Sequence, residues 1–130
     1  YRTAWGIVRG RLDKVIWTEE GTAWIIDFKT NRVGEDLGAL VEEYALQMQI
    51  YALAVQQAWR PRAVRAELYF LDPDVRVPVP VAAFDETAAL LERLTEEIAR
   101  ARTLADFPAR PDPARCRRCP CAGFCPERAI

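Results

Sequence analysis

Two neighbouring extended stretches constrain the fold of this chain more than any other feature. Residues 5–17 and 22–30 are rich in Trp, Ile and Val, residue types that favour strands. The residues between them include Glu19-Glu20-Gly21, and the glycine gives the backbone the freedom that a tight reversal needs. The sequence therefore predicts two antiparallel strands, Trp5 to Trp17 and Thr22 to Thr30, joined by a short turn.

The register of this hairpin brings charged side chains together. A turn centred in the connection sets Val15 opposite Ile25. The same register sets Asp13 opposite Asp27, and like charges at facing positions destabilise a strand pair unless a cation binds between them. Because side chains alternate along a strand, Lys29 points to the same face as Asp27. The hairpin therefore predicts that two acids and an amine converge.

An acid and a lysine two residues apart on a strand more often belong to a solvated surface, but a wider pattern here is more specific. Three strings carry it, Gly10-Arg11-Leu12-Asp13, Asp27-Phe28-Lys29-Thr30-Asn31 and Tyr44-x-x-Gln47-x-x-x-Tyr51. In this order they resemble the PD-(D/E)XK nuclease superfamily, most closely its RecB-like branch, which includes the nuclease domains of AddA, AddB and AdnAB helicase-nucleases. The resemblance implies an α/β fold with a restriction-endonuclease-like core, in which a small mixed sheet is flanked by helices.

The resemblance also implies a metal site. Asp13 and Asp27 would bind the ion, with the backbone carbonyl of Phe28 as a third ligand. Hard oxygen ligands select Mg²⁺ or Mn²⁺. Such an ion activates water and neutralises the charge that develops during phosphodiester cleavage. Lys29 would orient or deprotonate the water, or stabilise that charge.

Two further catalytic residues are implied on a helix. Residues 40–59 carry apolar side chains at a helical period. Gln47 and Tyr51 share one face of this helix. The resemblance implies that both lie beside the active site, with Gln47 holding the lysine or the DNA backbone. For Tyr44 and Met48 the same periodicity predicts burial in the core and no further role.

Charge is distributed unevenly along the chain, although its net value is only −1. Residues 1–17 hold four basic residues against one acid, and residues 100–130 hold seven arginines against three acids. Taken alone this indicates ordinary solvated charge, whereas beside a carboxylate site it would attract a polyanion. The predicted DNA contacts are Arg9 and Arg11, through a strand face shared with the first acid, and Thr30.

The rest of the first hundred residues is predicted to complete the sheet and to add a helix that packs against it. The predicted elements are a loop at residues 32–38, a strand at 63–71, a turn at 72–74, a strand at 75–81 and a helix at 86–102. Pro78 and Pro80 cannot donate to a ladder, so their strand belongs at an edge. Asp85 is expected to cap the helix. The helix residues expected to face the core are Leu90, Leu91, Leu94 and Ile98.

All four cysteines lie in an irregular, proline-rich tail, predicted to span residues 107–130 and to pack on a nuclease core at residues 1–106. Without a secretory signal, clustered cysteines favour metal ligands over disulfides. Cys116, Cys119 and Cys125 resemble part of the iron-sulfur motif of AddB-type nucleases, which implies a [4Fe-4S] cluster completed by an upstream cysteine. A zinc site, with Cys121 as the fourth ligand, is the second interpretation. Free cysteines or a disulfide are the third.

The composition excludes several classes of function. The chain has no histidine, so serine-histidine and cysteine-histidine catalysis and histidine-bound zinc are excluded inside it. No apolar run reaches the roughly 20 residues of a membrane span and no signal peptide opens the chain, so we expect no membrane partner and a cytoplasmic location. In the family a preceding helix supplies a further Glu or His metal ligand. Because residues 1–4 lead directly into a strand, we expect a fragment of a longer protein.

The expected function is a Mg²⁺- or Mn²⁺-dependent deoxyribonuclease that cuts single-stranded DNA without reading its bases, as an exonuclease rather than a sequence-specific endonuclease. Its expected partner is a helicase domain or subunit, within a helicase-nuclease of DNA repair and recombination. One alternative is a catalytically silent nuclease-fold module that binds DNA or braces a helicase. Another is a zinc-ribbon-like interaction domain, which depends on the cysteines alone.

Overall fold

A computed structural model describes residues 1–30 and 37–129, with the backbone alone described at Leu104. Most of the loop predicted at residues 32–38 and Asn31 of the motif lie outside the described residues. The chain forms two compact units, Tyr1–Ala99 and Arg100–Ile130. The predicted division at residues 106 and 107 stays a prediction.

Four strands and two long helices account for most of the first unit. In chain order they are β1 (Lys14–Trp17), β2 (Thr22–Lys29), α1 (Leu37–Trp59), β3 (Ala63–Phe70), β4 (Val75–Val79) and α2 (Phe84–Arg100). The strands form one sheet in the order β1-β2-β3-β4. The β1/β2 and β3/β4 pairs are antiparallel, whereas β2 and β3 run parallel and are connected through α1, because a parallel pair needs a crossover. The predicted small mixed sheet with flanking helices is therefore confirmed.

The hairpin of β1 and β2 has the predicted register. Val15 faces Ile25, and Lys14 faces Ile26. Gly21 has a φ of 81°, a conformation that only glycine adopts without strain, which explains its place in the turn. The hydroxyl of Thr18 also accepts a hydrogen bond from the backbone N–H of Thr22 at 3.2 Å.

The first predicted strand is too long, because β1 begins at Lys14 and not at Trp5. The preceding segment reverses on itself. Its backbone N–H groups at Thr3 and Val8 donate to the carbonyls of Gly6 and Tyr1 at 2.9 Å each. Since these groups are paired within the segment, they are not available to extend the ladder with β2.

The core lies between the sheet and α1. Its largest fully buried side chains are Ile25, Met48, Val55, Leu68 and Phe70. They come from β2, α1 and β3, so the parallel strand pair and the crossover helix bury one another. Burial of Met48 confirms that the period of α1 marks its core face.

The last strand and helix differ from prediction in detail. β4 lies at the edge of the sheet, as predicted, with Pro78 facing Glu67, but it ends at Val79, so Pro80 lies beyond it. Asp85 is not the helix cap, because α2 already begins at Phe84 and Asp85 lies in its first turn. Ile98, predicted to face the core, is 64% exposed, since the core-facing stripe ends before the last turn of the helix.

The N-terminal segment is hydrogen-bonded to α2. The hydroxyl of Thr95 donates to the hydroxyl of Thr3 at 3.0 Å. The backbone N–H of Ala4 donates to both carboxylate oxygens of Glu92, at 3.1 and 3.2 Å.

The second unit is irregular apart from two short elements. These are a 3₁₀ turn at Leu104–Asp106 and a helix, α3, at Pro113–Arg118. Asp112 caps α3 by accepting from the N–H of Arg115 at 2.8 Å. The predicted irregular, cysteine-rich tail is confirmed. In the part of the chain that the structure describes, no helix combines the length and apolar character needed to cross a membrane.

Candidate active site

Asp27 and Lys29 form a short, largely buried ion pair near the end of β2. Both side chains point to the face of the sheet that α1 covers, because residues two apart on a strand share a face. Lys29 Nζ lies 2.6 Å from Asp27 Oδ2, and the two side chains are 11% and 5% exposed. The predicted pairing of an acid with an amine is therefore present.

One oxygen of Asp27 is left without a hydrogen bond. Oδ2 is buried and has no hydrogen-bond partner within residues 1–30 and 37–129, although it lies close to Lys29 Nζ. Proximity without hydrogen-bonding geometry makes this contact an electrostatic one. The ammonium balances the charge of the carboxylate, but no hydrogen bond uses the lone pairs of this oxygen. It is therefore a candidate ligand for a metal ion.

Asp13 lies immediately before β1, and the hairpin register extended by one residue sets it opposite Asp27. Its Oδ2 accepts a hydrogen bond from the backbone N–H of Phe28 at 3.0 Å. This bond holds the carboxylate against the backbone between Asp27 and Lys29. The remaining lone pairs of the carboxylate stay available to a further partner.

The donor set fits a hard divalent cation. Mg²⁺ typically takes one or two protein carboxylates and completes its shell with water and substrate oxygens. Asp13 and Asp27 would supply those carboxylates. Across the described ranges, no group of three or more His, Cys, Asp or Glu side chains gathers at one point. The backbone carbonyl of Phe28 stays a predicted ligand, while its N–H is already bonded to Asp13.

A chain of side-chain hydrogen bonds connects Lys29 to α1. Lys29 Nζ donates to Gln47 Oε1 at 2.9 Å, and Gln47 Nε2 donates to the hydroxyl of Tyr51 at 2.8 Å. The amide orientation of Gln47 satisfies both bonds at once. The structure thus brings together Asp27, Lys29, Gln47 and Tyr51, the residues that the sequence strings singled out.

Gly10 lies very close to Tyr51, the last residue of this series of hydrogen bonds. A Cβ atom at this position would lie 2.8 Å from Cε1 of Tyr51, too short for a normal contact. Tyr51 is buried and its hydroxyl is bonded to Gln47, so its ring has little freedom to move. The Gly10-x-x-Asp13 string therefore combines a glycine that admits the Tyr51 ring with an acid that reaches the site.

Tyr44 contacts Lys29 in a way that the periodicity of the helix did not predict. Lys29 Nζ lies 3.7 Å from the centroid of the Tyr44 ring, the geometry of a cation–π contact. The ring also packs against the core, as predicted. The sequence did contain evidence for this contact. Tyr44 lies three residues before Gln47, and residues three apart share a helix face, so Tyr44 could have been placed beside Lys29 together with Gln47.

The predicted DNA contacts lie outside this buried cluster. Arg9 and Arg11 are exposed, and the expectation that they share a strand face with Asp13 is wrong because residues 8–12 are not in a strand. Arg9 instead lines a groove of about 380 Å³ that also borders Gln47 and Tyr51. Thr30 is exposed just beyond β2.

The four cysteines of the second unit are free thiols. Cys116 and Cys125 are half-buried, whereas Cys119 and Cys121 are exposed. Each of the four carbonyl groups accepts a backbone hydrogen bond from the residue three positions on, at 3.0 to 3.3 Å. The segment is therefore a succession of tight turns that begin at cysteines.

An acid, a facing acid, a lysine and a helical glutamine lie at one end of a small mixed sheet, the arrangement expected of a nuclease with an α/β core. The chain belongs to the PD-(D/E)XK nuclease superfamily, whose sequence profile matches residues 4–126. This confirms the family indicated by the sequence strings.

One curated relative extends the comparison. The chain is similar to a protein from Carboxydothermus hydrogenoformans that is named as a subunit of an ATP-dependent helicase/nuclease, with 39% identity over 74 residues. The match covers 55% of this chain and 6% of that relative, so the chain spans a small part of the relative's length. No solved structure matches the chain significantly.

Proposed function

We propose that this chain is a metal-dependent deoxyribonuclease domain that hydrolyses phosphodiester bonds of single-stranded DNA. The observation that carries the proposal is the buried Asp27 Oδ2, which has no hydrogen bond and lies 2.6 Å from the ammonium of Lys29, with Asp13 at the facing position of the extended hairpin register. A buried charged oxygen without a hydrogen bond is unusual in a purely structural site. It is useful where a cation must bind.

Asp13 and Asp27 would hold the metal ion. A bound Mg²⁺ or Mn²⁺ supplies Lewis-acid polarisation of the phosphate and a water that is nucleophilic at neutral pH. The ammonium of Lys29 would stabilise negative charge on the reacting phosphate and hold or move a proton at Nζ. Gln47 fixes the position of Nζ through its Oε1, and Tyr51 fixes Gln47 in turn.

DNA would be held through its backbone, without base readout. Arg9, beside the groove next to Gln47, would contact a flanking phosphate, and Arg11 and Thr30 would contribute from exposed positions. The name of the Carboxydothermus relative supports a role beside a helicase. We place the domain in a helicase-nuclease of DNA repair and recombination, acting as an exonuclease on the strand that a helicase delivers.

The cysteines would hold a structural cofactor. A [4Fe-4S] cluster on Cys116, Cys119 and Cys125, completed by a cysteine elsewhere in a longer protein, is the first proposal. Zinc with Cys121 as the fourth ligand is the second. Four free thiols within ten residues support either group. Iron, sulfide and zinc analysis of the longer protein after anaerobic purification separates them, and a longer protein that holds neither metal would refute both.

The nuclease proposal is tested by incubating the chain with single-stranded DNA and Mn²⁺, beside an Asp27→Asn variant. We expect the variant to lose the metal-dependent cleavage by at least about a hundredfold, the scale of losing a preorganised charge at the reacting centre. Glu20→Gln, an exposed acid in the hairpin turn, is the matched control and should cut normally. Equal background from the wild type and Asp27→Asn would favour the catalytically silent module.

A further inference from the structure

The ammonium group of Lys29 is held from three directions. Nζ lies 2.6 Å from Asp27 Oδ2, donates to Gln47 Oε1 at 2.9 Å and stands 3.7 Å from the centroid of the Tyr44 ring. The lysine side chain is only 11% exposed, so water solvates little of its charge. We infer that Tyr44 is a positioning residue, whose aromatic face holds the Lys29 ammonium in place for the proposed phosphodiester hydrolysis.

The face of an aromatic ring suits this position for an electrostatic reason. Its quadrupole attracts a cation, and the attraction is strongest where the cation is desolvated. A carboxylate in the same place would also stabilise the ammonium, but its oxygens would compete with Asp27 for a divalent ion. The ring face of Tyr44 offers no such oxygen. It therefore stabilises the amine without diverting the metal.

The helix fixes the ring and the amide together. Tyr44 and Gln47 are three residues apart on α1, so both reach the same ammonium from one helix face. Gln47 is fixed by Tyr51, and Tyr44 is half-buried against the core. Neither group can rotate away without losing packing or a hydrogen bond. Lys29 thus meets a preformed surface, and its ammonium is placed before any substrate arrives.

A competing interpretation is that Tyr44 only fills space in the core. A leucine would then serve nearly as well as the native side chain. The two interpretations separate at Tyr44→Phe, which keeps the ring face, and Tyr44→Leu, which keeps apolar bulk but removes the face. The kinetic part of this inference rests on the proposed nuclease function, whereas the contact itself does not.

The contact has a direct spectroscopic signature. Lysine occurs only at positions 14 and 29, so ¹³C labelling of the lysine ε-methylene gives two side-chain signals, and Lys14→Arg assigns them. A methylene group beside an ammonium over a ring is shifted upfield by the ring current. We expect an upfield Lys29 signal in the wild type and in Tyr44→Phe, and its return to the position of an exposed lysine in Tyr44→Leu. An unshifted Lys29 signal in the wild type would overturn the inference.

The second readout is the rate of single-turnover cleavage of single-stranded DNA with Mn²⁺. We expect Tyr44→Leu to be about tenfold slower than the wild type with unchanged DNA affinity, the scale of a desolvated cation–π contact, and Tyr44→Phe, which keeps the ring face, to recover most of that loss. Tyr44→Met is a second ring-free variant in case leucine alters folding, which circular dichroism reports.

The outcomes separate the two proposals. If Tyr44→Leu and the wild type cleave equally fast, the ring does not position the lysine and the inference fails. If the wild type cleaves no DNA, the proposed function fails, while the Lys29 signal still decides whether the ring holds the ammonium.

Discussion

The carboxylate of Asp13 is hydrogen-bonded to the backbone N–H of Phe28, at 3.0 Å. The bond crosses from the start of one strand to the residue between Asp27 and Lys29. It therefore ties the position of the first acid to the strand that carries the second acid and the amine. The acids are placed by the backbone of the hairpin and not by flexible side chains alone.

This relationship predicts different results for two substitutions of Asp13. Asp13→Asn keeps an oxygen that accepts from Phe28 and loses the negative charge. We expect it to fold with a normal Tm in the absence of metal, but to lose the rise in Tm that Mn²⁺ produces by binding the native state. Asp13→Ala should lose that rise and also have a lower Tm without metal. Thermal unfolding with and without Mn²⁺ measures both, and a normal metal response in Asp13→Asn would contradict the assignment.

Removing Lys29 should destabilise the fold. Lys29→Met leaves the buried carboxylate of Asp27 without its counter-charge, and breaking a buried pair in this way typically costs about 3–5 kcal/mol. Added Mg²⁺ should recover part of the loss by replacing the missing positive charge. Urea denaturation with and without Mg²⁺ measures both effects. Lys14→Met, at the exposed second lysine, is the control, and equal stability of the two variants would exclude a structural role for the pair.

Two glycines of the N-terminal segment provide a matched pair of variants. Gly10→Ala places a methyl group 2.8 Å from the Tyr51 ring, whereas a Cβ at Gly6 meets nothing within 4 Å. We expect Gly10→Ala to cost about 1–3 kcal/mol through overpacking and to slow cleavage by displacing Tyr51 and Gln47. Gly6→Ala should leave the rate of cleavage unchanged. Chemical denaturation and cleavage rates of both variants test this. If Gly10→Ala had the stability and cleavage rate of the wild type, the Tyr51 ring would be able to move aside without cost.

Gln47 and Tyr51 should behave as one unit. Tyr51→Phe removes the hydroxyl that fixes the amide, and Gln47→Met removes the acceptor of the lysine. Because both act on cleavage through Lys29, the double variant should be scarcely slower than Gln47→Met alone. A double-mutant cycle on the single-turnover rate measures the coupling. Additive losses would mean that Tyr51 acts independently, for example on DNA.

One pH dependence is expected in the second unit. The backbone N–H of Arg102, with the N–H and hydroxyl of Thr103, donates to Asp106 and holds the pKa of that carboxyl below its ordinary value. A lowered folded-state pKa adds stability above the unfolded-state value of about 3.9, and this stability is lost as the pH falls through the folded-state pKa. A carboxyl ¹³C titration should detect the low pKa. Asp106→Asn should remove the associated acid sensitivity of the turn.

Sequence reasoning located the hairpin register and the core face of α1 because each depends on a strict period. Val15 faces Ile25 since one glycine-containing turn fixes every pair beyond it. Residues 5–13 were misassigned because their apolar character suits a strand, while the carbonyl of Gly6 and the N–H of Val8 pair with Thr3 and Tyr1 of the same segment. Backbone hydrogen bonds of that kind depend on the local path of the chain, which the spacing of apolar residues does not predict.

The candidate site was predictable as a set of residues, but its contacts were not. Periodicity assigned Tyr44 to the core, which is correct, yet no pattern of polarity distinguishes a packed ring from one that faces an ammonium. In the same way, Gly10 belonged to a recognised string, and only the structure explains it by the ring of Tyr51. Asp85 was misplaced because helix ends vary by one or two residues, and Ile98 because the core-facing stripe of α2 ends before its last turn.

The parallel pairing of β2 with β3 has a consequence for synthesis of the chain. Every group proposed for the nuclease reaction precedes residue 59, but β2 is paired along its full length only once Phe70 has been made. A nascent polypeptide therefore displays the complete set of reactive groups before it can hold them rigidly. The nascent chain would therefore gain nuclease activity late in translation and within a short stretch of synthesis, once β3 has been made and can pair with β2.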